Sequence, residues 1–326
     1  MNVADPVSGA PIPVTLVTGA LGSGKTSLLN KLLAGPMPEG TAVIVNEFGT
    51  VAVDNRLVIG IDGPLVVLSG GCLCCVVRGA LIETLRDLFL KALRREIPPI
   101  RHVLIETTGL ARVAPLRHSL TADFFVAARY RLQSVLTVID ACHLPAQCAR
   151  LPEVQDQVIQ ADALVLGKTD LADPARQAEA RAAARALNPI APIHEADSLP
   201  PPELLLQSPE RAGMRIFPVP RAHDPAVRSM SLFATDPIPW GRFARALDAL
   251  LDAEGGRILR IKGWLAVEGV AGQRIVHAVH HQRYPALDLP KQEETGSRLV
   301  VIWQELPAAR LVDALSEWFA PMEDAA

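Results

Sequence analysis

The feature that most constrains this chain is an eight-residue stretch near its start, GALGSGKT, which runs from Gly19 to Thr26. A short run of β-branched and apolar residues (VTLVT) precedes it, and a helical pattern (SLLNKLL) follows it. Glycines at this spacing let backbone N–H groups converge on phosphate oxygens at a helix N-terminus, where the helix dipole also favours negative charge. The stretch therefore predicts a phosphate-binding loop between a strand and a helix.

The last residues of the stretch supply the side chains that such a loop requires. Lys25 would place a positive charge over the β- and γ-phosphates, and the Thr26 hydroxyl would ligate Mg²⁺. A bound purine nucleoside triphosphate with Mg²⁺ is the expected ligand. The predicted nucleotide-binding residues of this segment are Gly19, Gly22, Ser23, Gly24, Lys25, Thr26 and Ser27.

The rest of the N-terminal half alternates short β-branched runs with helical stretches, which predicts an α/β fold with a mainly parallel sheet covered by helices. A chain of 326 residues, 49% of them hydrophobic, is long enough for two domains. Seven prolines between residues 200 and 225 interrupt regular structure. We therefore predict a P-loop domain over residues 1–199, a Pro-rich linker over 200–227 and a smaller α+β domain over 228–326.

Helical periodicity predicts two helices with clear amphipathic character. One spans Gly79 to Glu96, with apolar Leu81, Leu85 and Leu88 at helical spacing. The other spans Trp240 to Glu254 in the C-terminal part, and a last helix is expected near Pro307. Strands are predicted there in RSMSLFAT, RILRIKGWLAV, RIVHAVHH and SRLVVIWQEL.

A second predicted strand, HVLI, delivers Glu106 to its carboxyl end, where open α/β sheets bind their ligands. A carboxylate there can hold the water shell of Mg²⁺. Gly109, three residues later, would let its backbone N–H meet a γ-phosphate and release it after hydrolysis, as in a nucleotide switch. We therefore assign catalytic roles to Lys25, Thr26, Glu106 and Gly109.

A third predicted strand, ALVLG, leads into Gly167-Lys168-Thr169-Asp170. The Asp170 carboxylate can accept both hydrogen bonds from the Watson–Crick edge of guanine, and Lys168 can cover the ring. Adenine lacks those paired donors, so this segment favours GTP over ATP. The structural alternative is that Asp170 caps the helix that follows.

Three of the five cysteines, Cys72, Cys74 and Cys75, fall within four residues after Gly70-Gly71. Such spacing is unfavourable for mutual disulfides, whereas thiolates suit Zn²⁺, Cu(I) or iron–sulfur centres. Three ligands leave a fourth tetrahedral position open for metal exchange. A redox role is the alternative. Cys142 and Cys148 are interpreted as small buried apolar residues.

Together GALGSGKT, NEFG, GGCLCC, ETTG and RIKGWL resemble the CobW-type P-loop GTPases, over about residues 13–319. The resemblance implies a GTP-dependent metallochaperone or metal-insertase for zinc or cobalt (Zn²⁺ or Co²⁺). It also implies that residues 228–326 are a CobW C-terminal-like domain, and that Asn46 and Glu47 lie in the first switch. Matching residue by residue, it assigns the metal motif to Cys72, Cys74 and Cys75.

The chain departs from the family pattern at two positions. Gly167 stands where Asn often precedes Lys-x-Asp, and Thr50 stands where Glu often follows Asn-Glu-Phe-Gly. The first departure concerns guanine selectivity, and the second concerns an auxiliary carboxylate ligand.

The eight histidines form no His-rich tract. His277, His280 and His281 lie in a predicted strand, where His277 and His281 would share a face. His223 lies in the Pro-rich segment. Each of these is an open candidate for an auxiliary metal ligand, with ordinary surface residues as the alternative.

The charge balance limits the partners that we expect. With 32 basic and 35 acidic residues, the chain has no cationic excess for binding nucleic acid. No segment reads as a secretion signal or a membrane span, so we predict a soluble cytoplasmic protein without a membrane partner. A client metalloprotein is implied without being identified, and the oligomeric state is open, with a homodimer among the candidates.

The expected function is therefore a slow GTPase that couples nucleotide state to metal binding at the cysteine turn and to transfer of the metal to a client. No residue stands out as a general base for the attacking water. Positioning of the reactants and the electrostatics of the bound metal can take the place of such a base. Two alternatives remain at this point: a P-loop ATPase or kinase with structural cysteines, and a nucleotide-dependent zinc-sensing assembly module.

Overall fold

The computed structural model describes residues 10–48, 65–70, 76–206, 227–290 and 296–321. The chain divides into two compact units. The first comprises Met1–Arg181 and Ala191–Pro209, and the second comprises Ala182–Ile190 and Glu210–Ala326. Each unit contains its own β-sheet.

The sheet of the first unit has seven strands, and every neighbouring pair is parallel. The strands are β1 (Ile12–Gly19), β2 (Thr41–Phe48), β3 (Leu65–Gly70), β4 (His102–Glu106), β5 (Tyr130–Asp140), β6 (Ala163–Gly167) and β7 (Ile193–Glu195). Their order in the sheet is β3-β2-β4-β1-β5-β6-β7. The chain moves from β4 past β1 to β5, so β1 lies where the strand order reverses, and its carboxyl end opens into the crevice in which such sheets bind ligands.

Helices alternate with these strands along the chain. They are α1 (Lys25–Leu33), α2 (Val76–Leu93), α3 (Val113–Ala122), α4 (Phe124–Arg129), α5 (Leu144–Arg150), α6 (Pro152–Gln160), α7 (Pro174–Leu187) and the short α8 (Pro202–Leu205). The predicted amphipathic helix corresponds to α2, whose Leu81, Leu85 and Leu88 are buried in one core cluster.

Both faces of the parallel sheet are buried, which explains why its strands are mainly apolar, with a few buried polar residues such as Thr15, Ser134 and Thr137. In β2, Ala42 and Ile44 belong to one core cluster, whereas Val43 and Val45 belong to the other. This two-residue alternation places side chains on opposite faces. Leu205, in α8, is buried in the second cluster, so packed structure is present within the first residues of the predicted Pro-rich linker.

The sheet of the second unit pairs its named strands antiparallel, in the order β11-β10-β9-β13-β8-β14, with β12 also paired to β10. Its strands are β8 (Val227–Ala234), β9 (Ile258–Ala266), β10 (Gln273–Val279), β11 (Gln282–Arg283), β12 (Leu287–Leu289), β13 (Ser297–Gln304) and β14 (Ala320–Pro321). Among the described residues after Val227, the helices are α9 (Trp240–Glu254) and α10 (Ala308–Leu315). The predicted helix from Trp240 to Glu254 is confirmed.

The core of the second unit forms between one face of this sheet and the apolar stripes of α9 and α10. Phe243 is 0% exposed there and contacts the rings of Trp240, Trp318 and Phe319, with centroids 5.6 to 6.2 Å apart. The predicted fold class, a P-loop-type parallel sheet followed by a smaller α+β domain, is confirmed. Among the described residues, no helix is both long and apolar enough to span a membrane.

Candidate functional site

The predicted phosphate loop connects the end of β1 directly to the start of α1. Gly19, Gly22 and Gly24 have φ angles of 142°, 72° and 101°, which L side chains rarely adopt. The Ser23 N–H donates to the Ala20 carbonyl at 3.1 Å and closes the turn. The glycines thus allow a compact loop whose end is the N-terminus of α1, a favourable place for an anion.

Lys25 folds back over this loop. Its Nζ donates to the Ala20 carbonyl at 2.9 Å, and the residue is only 8% exposed. A nearby hydroxyl, Ser23 Oγ, is buried and has no hydrogen-bond partner among the described residues. The loop therefore contains the positive charge of Lys25 and a hydroxyl, Ser23 Oγ, without a protein partner, and both suit a bound phosphate. The next predicted residue, Ser27, is exposed at the start of α1.

Thr26 and Glu106 meet although they are 80 residues apart in sequence. The strands β1 and β4 are adjacent, with Val17 beside Glu106, so the carboxyl end of β4 lies against the start of α1. Thr26 Oγ1 donates to Glu106 Oε1 at 2.8 Å, and Glu106 is 4% exposed. A hydroxyl and a carboxylate in contact are hard oxygen ligands, which fit Mg²⁺.

The loop after β4 packs directly on the phosphate loop. A Cβ added at Gly109 would lie 2.4 Å from the Leu21 nitrogen and 2.5 Å from its Cα, so only glycine allows this approach. Thr107 strengthens the contact: its N–H donates to the Val17 carbonyl at 2.9 Å, and its Oγ1 donates to Thr18 Oγ1 at 2.8 Å. The structure thus brings Gly109 against the loop that carries Lys25 and Thr26.

Two residues of α6 anchor the same loop, and sequence reasoning missed both. Gln157 is 0% exposed, and its Nε2 donates to the carbonyls of Gly109 at 3.2 Å and Ala111 at 2.9 Å. Asp156 Oδ2 accepts a hydrogen bond from the Val113 N–H at 2.6 Å at the start of α3. These contacts cross 43 to 48 residues of sequence, and no local motif indicates them.

The segment after β6 approaches the phosphate loop from the other side. A Cβ at Gly167 would lie 3.2 Å from the Ser23 carbonyl oxygen, a close contact that leaves little room for the Asn often found there. Asp170 is exposed and makes no hydrogen bond or ion pair within the described ranges. The helix cap is instead Asp173, whose Oδ1 accepts from the Arg176 N–H at 2.8 Å, so the interpretation of Asp170 as the cap of α7 is wrong.

Lys168 is held by a carboxylate that the sequence analysis did not single out. Its backbone has a φ of 59°, and its Nζ lies 2.8 Å from Asp140 Oδ2, at the end of β5. Burial raises the pKa of Asp140, but hydrogen bonds from Lys168, the Cys142 N–H and His143 outweigh it and leave the pKa below its ordinary value. Since Asp140 ends a parallel strand, its position at the carboxyl edge was the available signal.

The predicted first switch and metal motif are only partly covered by the described residues. Asn46 and Glu47 lie near the carboxyl end of β2, where they pair with Leu68 and Ser69 of β3. Their side chains, together with Thr50, the cysteines Cys72, Cys74 and Cys75, and His223, lie outside the described residues.

The strand predicted to hold three histidines ends earlier than expected. β10 stops at Val279, and His280 has a φ of 51°, so His280 and His281 belong to a turn. His281 Nδ1 lies 2.8 Å from the Leu251 carbonyl oxygen, and the His277 ring packs on Tyr284 with centroids 5.2 Å apart. The prediction that His277 and His281 share a strand face is therefore wrong. The interpretation of the two remaining cysteines as small buried apolar residues is confirmed for Cys148, which is buried, and is wrong for Cys142, which is half-buried.

Two family models match the chain. The model described as CobW/HypB/UreG, nucleotide-binding domain, matches residues 13–195, and the cobalamin synthesis protein cobW C-terminal domain matches residues 227–318. The chain belongs to the CobW family. The first match covers every described residue of the phosphate loop and of the segments around Glu106 and Asp170.

Relatives in the family resemble the chain over nearly its full length. It is 30% identical to zinc chaperone YjiA of Escherichia coli, over 91% of this chain and 95% of that protein. It is 33% identical to zinc chaperone CobW of Pseudomonas aeruginosa, over 94% of this chain and 91% of that protein. The crystal structure of Zn(II)-bound YjiA GTPase from E. coli superposes with a TM-score of 0.71 at 26% identity, over 95% of this chain and 99% of that one.

Proposed function

We propose that this CobW-family GTPase carries a transition metal, zinc foremost, on the turn that contains Cys72, Cys74 and Cys75, and delivers it to a client protein under control of bound nucleotide. The observation that carries the proposal is the strand order β3-β2-β4-β1. β3 ends at Gly70, two residues before the first of these cysteines, and β1 ends in the phosphate loop. Between them in the sheet lie β2, which contains Asn46 and Glu47 of the first assigned switch, and β4, which precedes the second.

The chain hydrolyses GTP, and the residues of the site explain how the phosphates of GTP would be held during that reaction. Lys25 and the N-terminus of α1 supply positive charge to the phosphates. Gly109 lies against Leu21, so a γ-phosphate on the loop would contact the segment after β4 as well. We expect loss of that phosphate on hydrolysis to release this segment, as in other nucleotide switches.

The Thr26 hydroxyl and the Glu106 carboxylate would hold Mg²⁺, directly or through water. Mg²⁺ when bound neutralises charge that develops on the β- and γ-phosphate oxygens. Glu106 is buried and already oriented by Thr26, so it needs little rearrangement for this role. Hydrolysis should be slow, because positioning and electrostatics replace a dedicated base.

We infer that guanine is recognised by Asp170 and Lys168. Asp170 is exposed, it is not used as a helix cap, and the adjacent Gly167 lies against Ser23 of the phosphate loop. Lys168 is anchored on Asp140, which fixes the aliphatic part of its side chain. The Asp170 carboxylate suits the Watson–Crick edge of guanine, and the fixed aliphatic part of Lys168 suits one face of the base.

Zinc is favoured over cobalt because the relatives that cover the chain are named zinc chaperones, and one is a Zn(II)-bound GTPase. Thiolates also suit Zn²⁺. β3 and α2 flank the cysteines, since α2 begins at Val76, one residue after Cys75. An exchangeable metal placed there would be bound at the same edge of the sheet as the nucleotide.

The test is a competitive Zn²⁺ titration of the full chain with bound GDP and with bound GTP, on wild type, Cys74→Ser, Cys75→Ser and the control Cys148→Ser. We expect Zn²⁺ affinity to differ at least tenfold between the nucleotide states. It should fall at least tenfold in the first two variants and stay unchanged in the control. Lys25→Ala should abolish the nucleotide dependence but keep the metal. Equal affinities in both nucleotide states would refute the coupling.

Transfer is tested separately, by a single turnover of GTP in the presence of a chromophoric zinc chelator. We expect zinc release to follow phosphate release, and to be absent with a non-hydrolysable GTP analogue. Release at the same rate with the analogue would contradict delivery timed by hydrolysis. Replacing GTP by ATP in the same assay separates this function from that of an ATPase or kinase.

A further inference from the structure

A second group of metal-ligating side chains lies at the carboxyl end of β5, apart from the three-cysteine motif. The Asp140 carboxylate, the Cys142 sulfur and a His143 ring nitrogen all lie within 4.8 Å of one another. No other group of three such side chains occurs in the part of the chain that the structure describes. The chain therefore places three different metal-binding groups in one turn, within four residues.

The donor set matches a borderline divalent cation. Carboxylate oxygen, thiolate sulfur and imidazole nitrogen are the ligands of zinc sites, at metal distances of about 2.0–2.3 Å, which puts tetrahedral ligands about 3.3–3.8 Å apart. His143 Nδ1 is 3.2 Å from Asp140 Oδ2, close to that separation. Cys142 Sγ makes only a weak contact, 4.0 Å from the Lys168 carbonyl, so a small rotation can bring it in.

One member of this group is buried and held by a hydrogen bond, and another is open to solvent. Asp140 is 2% exposed, and its Oδ1 accepts the Cys142 N–H at 2.8 Å, which orients the carboxylate in the way that hydrogen bonds orient metal ligands elsewhere. The His143 side chain is 63% exposed. Cys142 and His143 line a cavity of about 340 Å³, and Glu179 of α7 lines it as well. A cation can therefore enter, and water is available as a fourth ligand.

We propose that Asp140, Cys142 and His143 form a second site for a transition metal such as Zn²⁺ or Co²⁺, independent of the three-cysteine turn. Binding converts the Cys142 thiol to a thiolate and releases one proton to solvent. The site does not depend on the proposed function, because its ligands lie outside the phosphate loop and both assigned switches.

The same carboxylate also holds Lys168, which links the site to the neighbouring loop. Lys168 Nζ lies 2.8 Å from the oxygen of Asp140 that faces His143. A divalent cation at Asp140 would compete with this ammonium and displace it. This link, unlike the site itself, rests on the proposed role of Lys168 in holding guanine, and it predicts that metal changes the affinity for GDP.

The test uses the full chain with Cys72, Cys74 and Cys75 all replaced by Ser, titrated with Co²⁺, whose bond to a thiolate gives a charge-transfer band in the near ultraviolet. We expect one equivalent of Co²⁺ with this band. Adding Cys142→Ser should abolish the band, and adding His143→Ala should weaken Co²⁺ binding at least tenfold. The matched control, Cys148→Ser in the same background, should keep the band, and Zn²⁺ should displace Co²⁺.

Two results would overturn the proposal: absence of the band in the triple-Ser chain, or a band that survives Cys142→Ser. Thermal unfolding of each variant confirms that it is folded. GDP affinity, measured with and without Co²⁺ in the triple-Ser chain, isolates the link to Lys168. If it is the same in both conditions, that link is wrong while the metal site stands, and the proposed function is judged by its own titration.

Discussion

The two sheets of this protein place their buried charged residues at different positions along the strands. In the parallel sheet, the charged residues Glu106 and Asp140 and the phosphate loop occupy the carboxyl ends of strands, and the strand interiors are mainly apolar on both faces, with uncharged polar residues such as Thr15 among them. In the antiparallel sheet, the most buried charged side chains, Arg260 and Lys262, lie inside β9. Parallel strands all end at one edge, so residues far apart in sequence can meet there, whereas antiparallel strands end at alternating edges.

This difference implies a division of labour. Substitutions at the carboxyl edge of the first sheet should reduce chemistry with little loss of stability. Substitutions in the core of the second unit should reduce stability with little loss of chemistry.

The largest expected effect is on stability, from Phe243→Ala in α9. Phe243 is 0% exposed and contacts three other aromatic rings, so its removal leaves a cavity, and we expect a loss of about 3–5 kcal/mol in the second unit. All four tryptophans (Trp240, Trp264, Trp303 and Trp318) belong to this unit, so tryptophan fluorescence during denaturation reports on it selectively.

The matched control is Phe124→Ala, since Phe124 is 89% exposed and its removal should change stability by about 0.5 kcal/mol or less. GDP affinity should be unchanged in both variants under folding conditions. A tenfold loss of GDP affinity in folded Phe243→Ala would show that the second unit contributes to the nucleotide site, and the division of labour would fail.

The next effect concerns catalysis, in Gly109→Ala. The new Cβ would collide with the backbone of Leu21 at 2.4 Å, so the loop after β4 must move away from the phosphate loop. We expect GTP hydrolysis to fall about a hundredfold, similar to the loss of a group that positions the transition state. Single-turnover hydrolysis at saturating GTP measures it.

Gly79→Ala is the control for this glycine. A Cβ there would have no heavy atom within 4 Å, and the residue lies in helix α2, so the change should leave hydrolysis intact and stabilise the helix by about 0.5–1 kcal/mol. Wild-type hydrolysis in Gly109→Ala would mean that the close contact with Leu21 is not part of the catalytic geometry.

The parts of the structure that were predictable share one property: their signals are local. The phosphate loop is a contiguous stretch with fixed glycine spacing, and α9 was bounded correctly from Trp240 to Glu254 because its apolar residues repeat at helical spacing. Gln157 was missed because its bonds to the loop after β4 span 48 residues, and nothing in the sequence of α6 marks it. Asp140 was missed because its role depends on Lys168, 28 residues later.

The error at His280 has a different cause. No glycine, proline or asparagine directly follows Val279, so RIVHAVHH contains no turn signal and predicts a longer strand. The chain turns there because His280 adopts a left-handed φ of 51°, a conformation that glycine or asparagine would have indicated and histidine does not. The end of a strand is therefore not predictable from the local sequence when the residue that turns the chain is not a typical turn residue.

A third prediction concerns pH and the first unit only. Burial lowers the pKa of His102 to about 4, and its Nε2 lies 3.0 Å from Thr15 Oγ1. The unfolded chain binds a proton near pH 6.5, while the folded chain resists protonation down to about pH 4. The burial of His102 therefore has no effect on the free energy of unfolding above pH 6.5. As the pH falls below 6.5 it lowers that free energy progressively, by about 2 kcal/mol at pH 5.

His102→Gln removes this titration, so its stability should fall less than that of wild type between pH 8 and pH 5. Urea denaturation followed by far-ultraviolet circular dichroism measures the difference. Burial also lowers the pKa of the half-buried His194, so His194→Gln is the comparison and should have a smaller effect in the same direction. If the free energies of unfolding of wild type and His102→Gln depend on pH in the same way, His102 has the same pKa in the folded and unfolded chain, and the prediction is wrong.

The smallest effect that we predict is on base selectivity, in Asp170→Asn. Guanine presents two N–H donors to a carboxylate, whereas xanthine has a carbonyl at the position of the guanine amino group, which an amide can satisfy. We expect GDP affinity to fall about tenfold, near 1.4 kcal/mol, and XDP affinity to rise. Asp170 is exposed and is not the helix cap, so stability should not change, whereas Asp173→Asn at the cap is the control that leaves base preference intact. A fall in affinity for GDP and XDP alike would show that Asp170 acts on the phosphate end or on the loop itself, and that the carboxyl edge recognises the base through other residues.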